Sequence, residues 1–253
     1  MIKPMLAVGM LSLVLTGCMT TTTGEKPRKT DPNAARDSYI QLGIGYLQEG
    51  ETERAKAPLS EALKLDPRSS AAHTALALVF QQEGEDTSAE QHFRAALAAE
   101  PDSARILNNY GAFLLAQERY NEALQQFEKA SRDTLYRERS RVFENLGLTH
   151  SRMDNTEAAK ASFERALRLN SRQPLALLEL AKIEFQQQHY VPAWEYYRRF
   201  TQLSGQTASS LWLGVQLARR FEDHNRAASY ALQLRRLYPA SPEARALKAS
   251  ESS

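Results

Sequence analysis

The sequence predicts an all-α solenoid of six helix-pair repeats, and three observations point to it. From Arg36 onward the chain resembles itself at a spacing of 34 residues, giving units 36–69, 70–103, 104–137, 140–173, 174–207 and 208–241. Unit position 20 is alanine every time, at Ala55, Ala89, Ala123, Ala159, Ala193 and Ala227. Unit position 32 is proline in three of the six, at Pro67, Pro101 and Pro239, where a ring that cannot donate to the helix ladder ends the second helix.

The other recurrent positions have physical reasons of the same kind. Position 8 is Gly43, Ala77, Gly111, Gly147, Ala181 and Val215. With position 20 it marks where two antiparallel helices cross most closely, so a side chain beyond a methyl forces them apart. Position 24 (Leu59, Phe93, Phe127, Phe163, Tyr197 and Ala231) fills the gap between a pair and its neighbour. Position 27 is alanine at Ala62, Ala96, Ala130 and Ala166, then Phe200 and Leu234. This pattern resembles the tetratricopeptide repeat over nearly all of residues 36–241, which implies a right-handed superhelix with a concave face lined by first helices. Two departures stand out. Two extra residues separate the third and fourth units within Asp133–Arg139, predicting a longer turn, and Pro58 falls inside the second helix of the first unit. Residues 242–253 read as a short polar cap and tail.

The amino terminus reads as an address. Lys3 precedes an apolar run of eleven residues, Met5 to Leu15, which suits a secretory signal and falls short of a membrane span. The run ends in Leu15-Thr16-Gly17-Cys18, which resembles the lipobox of bacterial lipoproteins. The resemblance implies a signal peptide over 1–17, cleavage before Cys18 and a covalent lipid on its thiol. It also implies outer-membrane sorting, because Met19 rather than aspartate follows the cysteine. Residues 18–35 then form the lipidated N-terminus and a flexible Thr-, Lys- and Pro-rich tether.

Composition narrows the function. Net charge is +2 with 25% charged residues, so nothing suggests nucleic-acid binding. The single cysteine excludes an internal disulfide. Five scattered histidines show no metal-ligand spacing, and no catalytic constellation, cofactor motif or small-molecule site is recognisable. Binding must then lie on the concave face, at positions 2, 5, 9 and 12 of the first helices. There Ile40, Ile44, Leu47, Leu78, Ala112 and Leu115 form an apolar stripe, out of phase with the core stripe of Leu42, Tyr46, Leu76, Phe80, Tyr110 and Leu114. A carboxylate clamp is not expected, because Ile40 and Ile44 cannot donate and Arg105 and Asn109 stand alone. Arg141, Glu144, Asn145 and Arg152 make the fourth unit more polar, which reads as a solvated face.

Four blocks carry a closer resemblance. They are Asp37–Leu47, Leu107–Gly111, Asp133–Leu148 (which contains the insertion) and Leu237–Pro239. With the lipobox and six units, the chain resembles the tetratricopeptide pilotin lipoproteins of type IV pilus assembly (the PilF/PilW type). That resemblance implies a periplasm-facing outer-membrane lipoprotein. It would bind secretin subunits, promote their localisation and multimerisation into the pilus pore, and so support twitching motility. The alternative is a scaffold lipoprotein of another envelope machine, serving outer-membrane protein insertion or cell-wall enzyme regulation.

Overall fold

The computed structural model describes residues 31–251, so Cys18 and the lipobox residues Leu15, Thr16 and Gly17 lie outside the described residues. Thirteen helices follow one another: α1 (Pro32–Gln48), α2 (Thr52–Leu65), α3 (Ser70–Glu83), α4 (Asp86–Ala99), α5 (Ala104–Ala116), α6 (Tyr120–Ser131), α7 (Arg139–Arg152), α8 (Thr156–Leu169), α9 (Pro174–Gln186), α10 (Tyr190–Thr201), α11 (Ala208–Arg220), α12 (His224–Leu237) and α13 (Pro242–Glu251). Turns of two or three residues inside each pair force antiparallel packing. First helices also touch first helices, α1 with α3, α5 with α7, α7 with α9 and α9 with α11, and so form the inner wall.

The helix pairs lock through a ring laid over a small residue. The alanines at position 20 are fully buried in the first five units, and Ala227 nearly so. At position 8 the fit is tight. A Cβ placed on Gly111 would stand 2.6 Å from Cε1 of Phe127, and one on Gly147 would stand 2.5 Å from Cε1 of Phe163. Phe127 and Phe163 are wholly buried. The sixth unit exchanges the volumes, with Val215 at position 8 and Ala231 at position 24, both buried. Volume can thus be traded between the two positions, as close packing requires.

Position 15, which sequence reading passed over, closes every intra-pair turn in the left-handed region. It is Gly50 (φ 78°) and Gly84 (φ 76°) in the first two units, then Glu118 (59°), Asp154 (57°), Gln188 (63°) and Glu222 (58°). A non-glycine residue costs about 1–2 kcal/mol there, partly offset by the greater freedom glycine has when unfolded. Gln188→Gly should therefore stabilise the chain by roughly 0.5–1 kcal/mol. A lower denaturation midpoint for the variant would show that Gln188 is held by contacts worth more than the strain.

Three expectations change, and a fourth, Pro58 inside the second helix of the first unit, holds. Helix α1 opens at Pro32, with Asp31 Oδ1 accepting from Asn33 N at 3.0 Å, so the residues from Pro32 to Ala35 are helix and not tether. A proline in the first turn loses no hydrogen bond, which is why it starts the helix. Leu42 is 48% exposed and leaves the core stripe, because among the described residues no unit precedes α1 to cover that face. Residues 242–251 form a full helix, burying Ala244 and Leu247 against Leu211, Val215, Ala231 and Leu234 where a seventh first helix would sit. Pro58 is buried within α2, which continues through it.

Candidate functional site: the concave face

The six stripe residues divide in the structure. Ile40 is 5% exposed and packs with Ala62 and Ala72, so it belongs to the core and not to the groove. The reason is positional, since position 5 of a first helix faces its own second helix in this unit. Ile44 and Leu47 are half-buried against Ala55, Leu59, Ala75, Leu76 and Val79. Leu78, Ala112 and Leu115 are half-buried along the core of the third unit, with Phe113, Leu114 and Phe127 beneath. Five of the six therefore flank the core and keep one side open.

Two of them shape a depression. Ala112 and Leu115 of α5, with Leu148 and Arg152 of α7 and Tyr120 of α6, line a cavity of about 300 Å³. The small side chain at position 112 creates the space. Ala112, Leu115, Ala116 and Leu148 give it an apolar side and Glu118 and Arg152 a charged one, an arrangement suited to a partner segment that brings an apolar side chain beside a polar group.

Of the four polar residues of the fourth unit, Arg141 and Arg152 are exposed as expected, whereas Glu144 and Asn145 tie repeats together. Asn145 Nδ2 donates to Asn108 Oδ1 at 3.0 Å, and Asn108 is buried. Glu144 Oε1 accepts from Ala176 N at 3.1 Å, serving the open N-terminus of α9, where Gln173 supplies no cap. Burial pushes the Glu144 carboxyl up, and the Ala176 N–H opposes it. Arg141 remains exposed and pairs with Glu138 at 3.2 Å. Arg105 is exposed and Asn109 half-buried; Ile40, in the core, removes the first unit's part of any clamp.

Two further networks tie successive repeats together. Glu90 of α4 accepts from both Nη atoms of Arg119 at 2.8 and 3.0 Å, from Tyr110 Oη at 2.9 Å and from Arg94 at 2.8 Å. Its carboxyl is held at about 2, chiefly by the Arg119 hydrogen bonds. Glu184 is buried between Lys160 Nζ at 2.7 Å and His189 Nδ1 at 2.9 Å. Burial pushes that carboxyl up, but the hydrogen bonds from Lys160 and His189 outweigh burial and the net shift is downward. Sequence spacing does not show the links between repeats, because Glu90 and Arg119 lie 29 residues apart, Lys160 and Glu184 lie in successive repeats, and any surface residue there fits the repeat equally well.

Histidines that look scattered in sequence partly converge. His73 and His92 bring their Nδ1 atoms to 2.9 Å, with His73 Nε2 3.1 Å from the Pro67 carbonyl. Among the described residues, no group of three or more His, Cys, Asp or Glu is placed to hold a metal ion. No helix among them is long and apolar enough to cross a membrane.

With this geometry in place, comparison with known proteins gives the lineage. Tetratricopeptide repeat profiles match residues 40–99, 102–172 and 145–206. The type IV pilus assembly protein PilF of Pseudomonas aeruginosa is 54% identical over 238 residues, covering 93% of this chain and 94% of that protein. A solved structure of Pseudomonas aeruginosa PilF superposes with a TM-score of 0.86 over 87% of this chain and 99% of the other. The structure of PilW, described as a widely conserved type IV pilus biogenesis factor, is 28% identical with a TM-score of 0.74, covering 84% of this chain and 97% of that one. The repeats, their ring-over-glycine packing and a near-full-length match thus converge, and the chain belongs to the PilF family of type IV pilus assembly proteins, which is built on tetratricopeptide repeats.

Proposed function

We propose that this chain is a pilotin: a non-enzymatic lipoprotein, anchored through Cys18 in the outer membrane and facing the periplasm, that binds secretin subunits and promotes their multimerisation. The near-full-length likeness to a type IV pilus assembly protein carries the reading. The open apolar side of Ile44, Leu47, Leu78, Ala112 and Leu115 supports it, since burying such surface is worth about 25 cal/mol per Å². The lipobox supports the anchor, because two or three acyl chains hold a protein on a bilayer where one does so only marginally.

The groove is tested by Ala112→Glu. The residue is half-buried beside a cavity, so the helix tolerates the longer side chain, while a carboxylate facing an apolar ligand costs several kcal/mol unless it is paired. The variant should keep its helical circular dichroism and leave secretin as monomers. A folded variant with normal secretin multimers moves the binding surface away from α5 and α7. The anchor has its own test. Cys18→Ala should leave the repeats folded and shift the protein from the membrane to the soluble periplasmic fraction, and retention of the variant in the outer-membrane fraction sinks the anchor.

A further inference from the structure

The turn between the third and fourth units, which holds the two extra residues, runs over seven residues, 132–138, where the α10–α11 turn has six and the other turns between repeats have four. The longer turn does not serve packing alone. It carries Leu135, which at 89% exposure exceeds every other large hydrophobic among the described residues. The turn holds that side chain out by a built arrangement. Asp133 Oδ1 accepts from Leu135 N at 2.9 Å, and Tyr136 packs half-buried on the core of the third unit. Arg139 Nε donates to the Ser131 carbonyl at 2.7 Å, and its guanidinium lies 5.4 Å from the ring centroid of Phe143. Arg132 and Arg137, on either side of Leu135, are exposed and form no ion pair among the described residues.

Topology gives this turn a direction. Because the helices alternate, all turns between repeats share an edge with the N-terminus of α1, and all turns within repeats share the opposite edge. The two edges differ in charge. Turns within repeats carry seven carboxylates and one guanidinium, whereas turns between repeats carry five carboxylates and four guanidiniums. An anionic surface therefore repels the first edge far more than the second. Asp31, at the less acidic edge, stands thirteen residue steps beyond Cys18, a reach of at most about 45 Å.

We propose that the α6–α7 turn is a foot on a phospholipid surface, with Leu135 in the interfacial layer and Arg132 and Arg137 on lipid phosphates. The inference rests on the Cys18 anchor, which keeps the turn within reach of lipid. A bilayer is favoured over a protein partner because Leu135 stands alone among polar neighbours. A protein interface needs a contiguous apolar centre, while a membrane interface needs only an inserting side chain and nearby cations. The acidic edge would then face away from the bilayer.

The test uses the full lipid-anchored protein in phosphatidylethanolamine–phosphatidylglycerol vesicles, with a thiol-reactive fluorophore at Leu135→Cys or, on the opposite edge, at Met153→Cys. Acyl-chain quenchers should reduce emission at position 135 about threefold or more relative to position 153, as expected for a group about 5–10 Å into the interface. Equal quenching overturns the proposal. So does a response at 135 that needs added secretin and is absent with lipid alone. Labelling the unsubstituted chain tests the anchor separately, because an acylated Cys18 takes no fluorophore. If Cys18 is labelled, the anchor reading fails. The same 135-to-153 ratio, measured in Cys18→Ser chains with excess vesicles, then still decides the contact.

Discussion

Gly111→Val should destabilise the third repeat strongly, and combining it with Phe127→Ala should cost less than the two changes summed. A Cβ at position 111 would stand 2.6 Å from Phe127 Cε1, so the ring must move or the helices must part. Overpacking of this kind costs about 1–3 kcal/mol, and Phe127→Ala alone costs about 3–5 kcal/mol through the cavity it leaves. The double variant recreates the pairing that the sixth unit already uses, Val215 against Ala231. Its cost should fall below the sum of the singles by about 1 kcal/mol or more, the coupling expected of residues in direct contact. Urea denaturation of the four proteins measures this. Strict additivity would show that the two positions do not share one volume.

Acid should remove the contribution of Glu90. In the folded chain this carboxyl is held at about 2, against an ordinary 4.5, chiefly by Arg119 and further by Tyr110 and Arg94. A carboxyl depressed by folding stabilises the protein fully above its unfolded pKa, and that stability is lost as pH falls through the folded value. The window therefore runs from about 4.5 down to about 2. A shift of this size corresponds to roughly 2–3 kcal/mol at neutral pH, after some discount for a site still partly open to water. The difference in unfolding free energy between the native chain and Glu90→Gln should be flat above pH 5 or so and shrink below it. A difference independent of pH down to 2 would place the network's value in packing rather than charge.

The groove was legible in the sequence only in part. Helical phase identified an apolar stripe, and five of its six residues keep an open side in the folded chain. Ile40 did not, because periodicity gives the direction of a side chain around its helix and not which neighbour covers it. Leu42 failed in the opposite sense, since the repeat rule assumes a preceding unit and among the described residues none precedes α1. Glu144 and Asn145 looked like surface residues because their partners, Ala176 and Asn108, lie about one repeat away in the chain.

What the sequence by itself determined is the repeat: where two helices must touch, the chain needs small residues at positions 8 and 20 and a filler at 24, and those needs recur every 34 residues. Local sterics of that kind leave a periodic trace. The tertiary structure decided what depends on meeting a particular neighbour. It set which stripe residues stay open, how Glu90 and Glu184 join successive repeats, how α13 closes the last unit, and that the inserted turn displays Leu135 outward. Such pairings are set by distance in space between residues far apart in sequence, and no period within one unit records them.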